Sequence, residues 1–166
     1  MESRLGGIDI HYLQTQEWLW IALIFFALFG GIALWQWRDK RWVARRFRPG
    51  EVIIMSFGVT FYGCESTERR VPQQTGMLLL LETGLLYRTR FLGKEFMIPK
   101  ERIKAVYVAK QHKGKDLYRY VMKVDFIDRH GRPDSAAFRV PYPKQWFSAI
   151  GKTLDITPVT QLPEEE

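Results

Sequence analysis

Between Glu17 and Arg38 the chain carries no charged residue. That gap narrows the folds open to its N-terminal third to very few. Residues 18–37 hold one strongly polar side chain, Gln36. A helix rises about 1.5 Å per residue, so the run spans roughly 30 Å, the thickness of a bilayer's hydrocarbon core. Trp18 and Trp20 stand at one end, Trp35 and Trp37 at the other. Indoles favour the headgroup level, so these four are expected as membrane-interface anchors. A buried core helix of a soluble protein would usually break so long a run with a charge. A cleaved signal peptide would place its basic residues before a shorter apolar run, and end in small residues. Neither pattern is present.

The basic residues come afterwards. Arg38, Lys40, Arg41, Arg45, Arg46 and Arg48 face only Asp39, whereas residues 1–17 hold Arg4 against Glu2, Asp9 and Glu17. Lys and Arg near a span stay on the cytoplasmic side. The expectation is a single-pass protein of a cell (inner or plasma) membrane, with residues 1–17 outside and the C-terminal part in the cytoplasm. The basic collar, residues 38–48, is also placed to meet anionic lipid headgroups. Ala27 and Gly31 form a small-xxx-small pair that would let a second helix approach.

Beyond the collar, 18 basic residues meet 14 acidic ones. The net charge of +7 therefore owes most to the collar, which argues against a nucleic-acid partner. The single cysteine, Cys64, has no partner for an internal disulfide.

From Pro49 the pattern turns to strands. Pro49-Gly50 is a turn, and Val52, Ile53 and Ile54 begin an apolar strand. Residues 63–76 read as a long polar loop. Met77–Leu81 and Leu85–Phe91 read as a hairpin about Thr83-Gly84. In its second strand Leu85, Tyr87, Thr89 and Phe91 are expected on one face, with Arg88 and Arg90 on the other. "RIKAVYVAK", "LYRYVMKVDFID" and "SAAFRVPY" supply further strands. The second of these has Tyr118, Tyr120, Met122, Val124 and Phe126 in alternation. After Pro143 the period changes, and Trp146, Phe147, Ile150 and Leu154 recur at helical spacing. The expected architecture is a transmembrane helix followed by a mainly-β domain, residues 49–157. That domain is a partly open antiparallel barrel of about seven strands capped by an amphipathic helix, with an acidic tail at 158–166.

The order and wording of "RPGEVI", "TGMLLLLETGLLY", "FMIPKERIKAV" and "WFSAI" resemble the pleckstrin-homology (PH) superfamily, and more narrowly its GRAM-like and bacterial PH-like domains. The resemblance covers residues 49–155 and implies a non-catalytic adaptor that binds protein or lipid. PH domains that bind phosphoinositides carry a dense basic first hairpin loop. Here that loop offers Arg69 and Arg70 beside Glu65 and Glu68, so phosphoinositide binding is not implied.

Signs of catalysis are weak. His11, His112 and His130 are scattered, and the latter two fall in turns where solvated histidines are expected. No metal-ligand spacing joins them to Cys64. Cys64 has no nearby base, and is expected to be inert. Asp125, Asp128 and Asp134 gather about one turn, where solvated carboxylates are common. No glycine-rich phosphate loop is present. The expected function is therefore a membrane-tethered protein-interaction adaptor with no enzyme activity, cofactor or metal. An anionic-lipid headgroup sensor and an accessory subunit of a larger membrane complex are the alternatives. Arg69, Arg70, Lys113 and Lys115 are the candidate lipid or partner contacts, with Lys110 beside them.

Overall fold

The computed structural model describes residues 10–66 and 73–157, with backbone alone for 10–17. The chain divides into two units at Arg46 and Phe47. The first is one helix, α1 (Ile10–Arg46), which includes a segment long and apolar enough to cross a membrane, with a mean hydropathy of 2.2. Trp18, Trp20 and Trp37 are exposed and Trp35 is half-buried. The collar is not a loop, because the helix continues through Arg46. Arg41 lies 4.4 Å from the centre of the Trp37 ring and Arg46 5.2 Å from that of Trp42, each one turn away. Arg48 lies in the turn beyond, where its N–H donates to Glu51.

The second unit holds seven strands in antiparallel pairing: β1 (Val52–Cys64), β2 (Gln74–Leu81), β3 (Gly84–Thr89), β4 (Glu95–Pro99), β5 (Ile103–His112), β6 (Lys115–Ile127) and β7 (Pro133–Arg139). Their order across the sheet is β4-β3-β2-β1-β7-β6-β5. Two meanders are thus joined where β1 meets β7, at Thr60↔Arg139, Phe61↔Phe138 and Cys64↔Ala136. The sheet curls so that its edges approach, and the Phe96 and Phe126 rings meet edge-on at 5.9 Å. A 3₁₀ turn, Lys100–Arg102, ties β4 to β5 at one end of the seam. The result is the partly open, helix-capped antiparallel barrel expected of a PH-like domain.

The core follows from the period of two. Leu78, Leu80, Leu85, Tyr87, Met122, Val124 and Phe138 point inward and are buried. Phe61 sits among three rings, 4.9 Å from Tyr87, 5.4 Å from Phe96 and 5.0 Å from Phe138. At Gly76 a side chain would overlap the Arg88 carbonyl oxygen and the Tyr87 hydroxyl, so only glycine fits. The closing helix, α2 (Pro143–Leu154), begins with Pro143 and buries Trp146, Phe147, Ile150 and Leu154 as its spacing predicts. The Trp146 indole N–H donates to Ser56 Oγ at 2.9 Å, and Lys100 Nζ donates to the Thr153 carbonyl near the helix C-terminus.

Three local expectations are corrected. β1 runs to Cys64, so the polar loop starts later than residue 63. Phe91 does not continue the inward face of β3: the strand ends at Thr89, and Phe91 lies in the following turn, 75% exposed. Tyr118 and Tyr120 do not join Met122 in the core. Between the pairs Ala109↔Val121 and Gln111↔Asp116, one residue of β5 lies opposite four of β6, a large bulge. Tyr118 takes a left-handed backbone there, φ 55°, and is 91% exposed.

Candidate functional site

The pair Ile103↔Phe126 sets the 3₁₀ turn, just before β5, beside the end of β6 and the β6–β7 turn. A cleft of about 480 Å³ opens there. Its apolar walls are Phe96 and Met97 from β4 and Phe126 and Ile127 from β6. β4 is an edge strand of the sheet, whereas β6 is paired on both sides, with β5 and β7.

Charged groups of both signs ring the cleft, and their partners differ. Asp128 Oδ1 accepts the His130 and Arg132 backbone N–H groups at 2.7 and 2.8 Å, and Oδ2 takes the Arg132 guanidinium at 3.1–3.2 Å. These bonds, led by the Arg132 backbone N–H, hold its carboxyl below the usual range. Asp134 accepts from the backbone N–H groups of Ser66 and Ser135 and from the Ser66 hydroxyl at 2.5 Å. Both carboxylates are therefore occupied in building the turn and the end of β1. Arg102, Arg129 and His130 also line the cleft, and their side chains make no hydrogen bond or ion pair among the described residues. The cleft thus combines an apolar floor with two uncommitted guanidinium groups, those of Arg102 and Arg129. A second depression of similar size, between Ile53 and the exposed side of α2, is shallower and has only Lys144 and Lys152 as charged neighbours.

The candidate contacts named from the sequence do not converge here. Arg69 and Arg70 lie outside the described residues. Lys113 and Lys115 sit at the β5–β6 turn. Lys113 and Gly114 both have positive φ, which closes a two-residue hairpin. Lys110 lies beside that hairpin's bulge, its ammonium 4.7 Å from the centre of the Tyr120 ring. Ala27 and Gly31 lie one turn apart on α1, and nothing packs within 4 Å of a side chain built at Gly31. Arg102, Arg129 and His130 were missed because they come from two segments distant in sequence, and neither has a local pattern.

His112 departs most from its expected role. It is buried, not solvated in a turn. Its Nε2 lies 3.0 Å from the Gly63 carbonyl, while Nδ1 has no hydrogen bond and lies 3.8 Å from Glu65 Oε1. Glu65 in turn accepts from Lys123 Nζ at 2.7 Å. The contact carries the β5–β6 hairpin back across the outer face, where Ala109 and Leu117 pack on Tyr62, Val121 and Ala137. Burial pushes the His112 pKa down, outweighing the Gly63 bond and Glu65, which raise it; Lys123 and Lys113 add to the lowering. Asp125, on the same side of the hairpin, accepts from Ser135 Oγ and Tyr107 OH. It shares Ser135 with Asp134, which accepts that residue's backbone N–H, and has no partner in common with Asp128. Cys64 is buried at the end of β1.

No protein-family model and no curated protein matches the chain. Solved structures do. A chain of "The 8S snRNP Assembly Intermediate" aligns with a TM-score of 0.51 at 8% identity, covering 71% of this chain and 93% of that one. The "Vps36 N-terminal PH domain" aligns at 0.46 and 14% identity, covering 66% and 83%. The first likeness bears on fold alone. The strand order and closing helix define the class as a PH-like domain behind an apolar helix of membrane-spanning length.

Proposed function

We propose that the chain is a non-catalytic, membrane-tethered adaptor. In this reading residues 18–37 cross the membrane, the collar keeps residues 38–166 on the cytoplasmic side, and the domain holds a partner protein in the β4/β6 cleft. One observation carries it: of the charged groups lining the cleft, the carboxylates Asp128 and Asp134 are bonded internally and Glu95 also has a partner, while the Arg102 and Arg129 guanidinium groups make no hydrogen bond or ion pair among the described residues. An apolar floor with free cations suits a partner segment that is acidic and partly apolar. A lipid headgroup alone would make little use of Phe96, Met97, Phe126 and Ile127.

A photo-crosslinking residue at Met97, in the full-length chain in its native membrane, tests this. The expected result is one discrete adduct whose crosslinked partner peptide is acidic, and which Arg102→Glu with Arg129→Glu abolishes. The same crosslinker at Tyr142, exposed elsewhere, should give no such adduct. An adduct unchanged by charge reversal, or lipid adducts alone at Met97, would overturn the reading.

A further inference from the structure

Along the outer side of α2 runs a shallow groove of about 490 Å³. Lys144, Ser148 and Lys152 recur at intervals of four and form one stripe of its lining, with Ala149 beside them. Ile53 of β1 also lines it and is 44% exposed. The groove is therefore apolar along its middle and cationic at both ends. Lys144 and Lys152 make no hydrogen bond or ion pair among the described residues. The helix is also incomplete at its start. Its N-cap, Tyr142, makes no side-chain capping bond, and the first turn holds no acidic residue. Negative charge beside Lys144 would meet both an ammonium and the positive end of the helix.

The other end of α2 fixes where the chain leaves it. Asp155, at the C-cap, takes a left-handed backbone, φ 55°, and turns the chain out of the helix. Ile156 then packs against the core. From Thr157 the sequence continues as PVTQLPEEE, residues 158–166. We propose that this segment lies back along the groove, antiparallel to α2, with Val159 and Leu162 against Ile53 and Ala149 and Glu164–Glu166 beside Lys144 and the helix start. The reach fits. α2 is about 18 Å long, and residues 158–164 cover roughly 23 Å when extended. The chemistry fits as well: apolar residues precede acidic ones, in the order that the groove presents from its middle to the start of the helix. Pro158 and Pro163 resist helix formation and suit an extended path. Attachment at Thr157 supplies a high effective concentration, so weak contacts suffice. The inference is independent of the cleft and of the membrane span. Its consequence is that any other ligand of this face must compete with the chain's own acidic segment.

The test is disulfide formation within the full-length chain, in detergent and at low concentration, between Ala149→Cys and Leu162→Cys. Cys64, the only other thiol, is buried. Glu101→Cys with Leu162→Cys is the control pair. Glu101 is exposed, and its neighbour Lys100 bonds the Thr153 carbonyl, so it stands within the segment's reach but outside the groove. The groove pair should close about tenfold faster than the control pair. Lys144→Glu should slow it about fivefold. Adding Glu164→Lys, Glu165→Lys and Glu166→Lys to that chain should restore the rate, which also excludes a folding defect. Lys152→Glu should matter less, because the acidic residues lie at the opposite end. Equal rates for the two pairs, or a rate indifferent to the charge at Lys144, would overturn the proposal. So would a disulfide that forms between chains and quickens with their concentration, since the groove would then belong to a second copy.

Discussion

Trp146 and His112 are both buried, and they answer to different physics. The indole is fully buried at the end of the barrel and bonded to Ser56. Trp146→Ala removes that burial and leaves a cavity, and should destabilise the domain by about 3–5 kcal/mol. Trp146→Phe keeps most of the apolar volume and should cost less. Urea unfolding of the detergent-solubilised chain measures both, and a loss for Ala below about 1 kcal/mol would show that α2 does not seal the core. His112 was expected in solvent, because its neighbours Lys113 and Gly114 form a turn. Nothing local shows that the hairpin folds back onto Gly63. Its folded pKa lies below the unfolded value of about 6.5, so the unfolded chain takes up the proton first. The stability tied to the neutral ring is complete above that pH. It is lost as pH falls through the lower folded pKa, with a slope of at most about 1.4 kcal/mol per pH unit. His112→Gln should flatten that part of the stability profile between neutral pH and the onset of carboxylate titration. An unchanged slope in the variant would mean that His112 titrates alike in both states.

At the scale of elements, period and position were informative wherever a strand had one buried face. Leu85 and Tyr87 in β3, Met122 and Val124 in β6, and the face of α2 all lie where their spacing puts them. The pattern misled where an element changed its pairing. Tyr118 and Tyr120 keep the alternation of β6, but the bulge at Lys110 turns them outward. A bulge of this kind depends on the partner strand, which alternation along one strand does not register. The cleft was illegible for a related reason. Arg102 precedes β5 and Arg129 follows β6, and the pairing of those two strands at Ile103↔Phe126 brings them to one end of the sheet, a register that neither segment shows by itself. α1 was the plainest element of all, and the collar predicts a direction for it. A reporter that is active only in the cytoplasm, fused after Glu166, should be active, and one that requires export should be silent. Reversal of the two signals would refute the orientation.

The molecule as a whole is two units, and the second has its own core. Residues 49–157, expressed without α1, should be soluble and unfold in one cooperative transition, since about 110 residues bury enough surface without disulfides. A broad, non-cooperative transition in circular dichroism would show that the domain depends on the helix or on a partner. The pairing of β1 with β7 has a further consequence, for synthesis. Every other strand pairing in the sheet joins neighbours in the chain, but Thr60 pairs with Arg139. At about 5–20 residues per second a ribosome needs roughly 4–16 s to make the intervening segment. Throughout that delay one edge of β1 has no native strand to pair with, while the apolar helix made before it has already emerged. A nascent chain in that state offers two sticky surfaces at once, an open strand edge and a greasy rod. Early capture of the rod by the insertion machinery would leave the waiting edge as the one hazard for chaperones to cover until the last strand arrives.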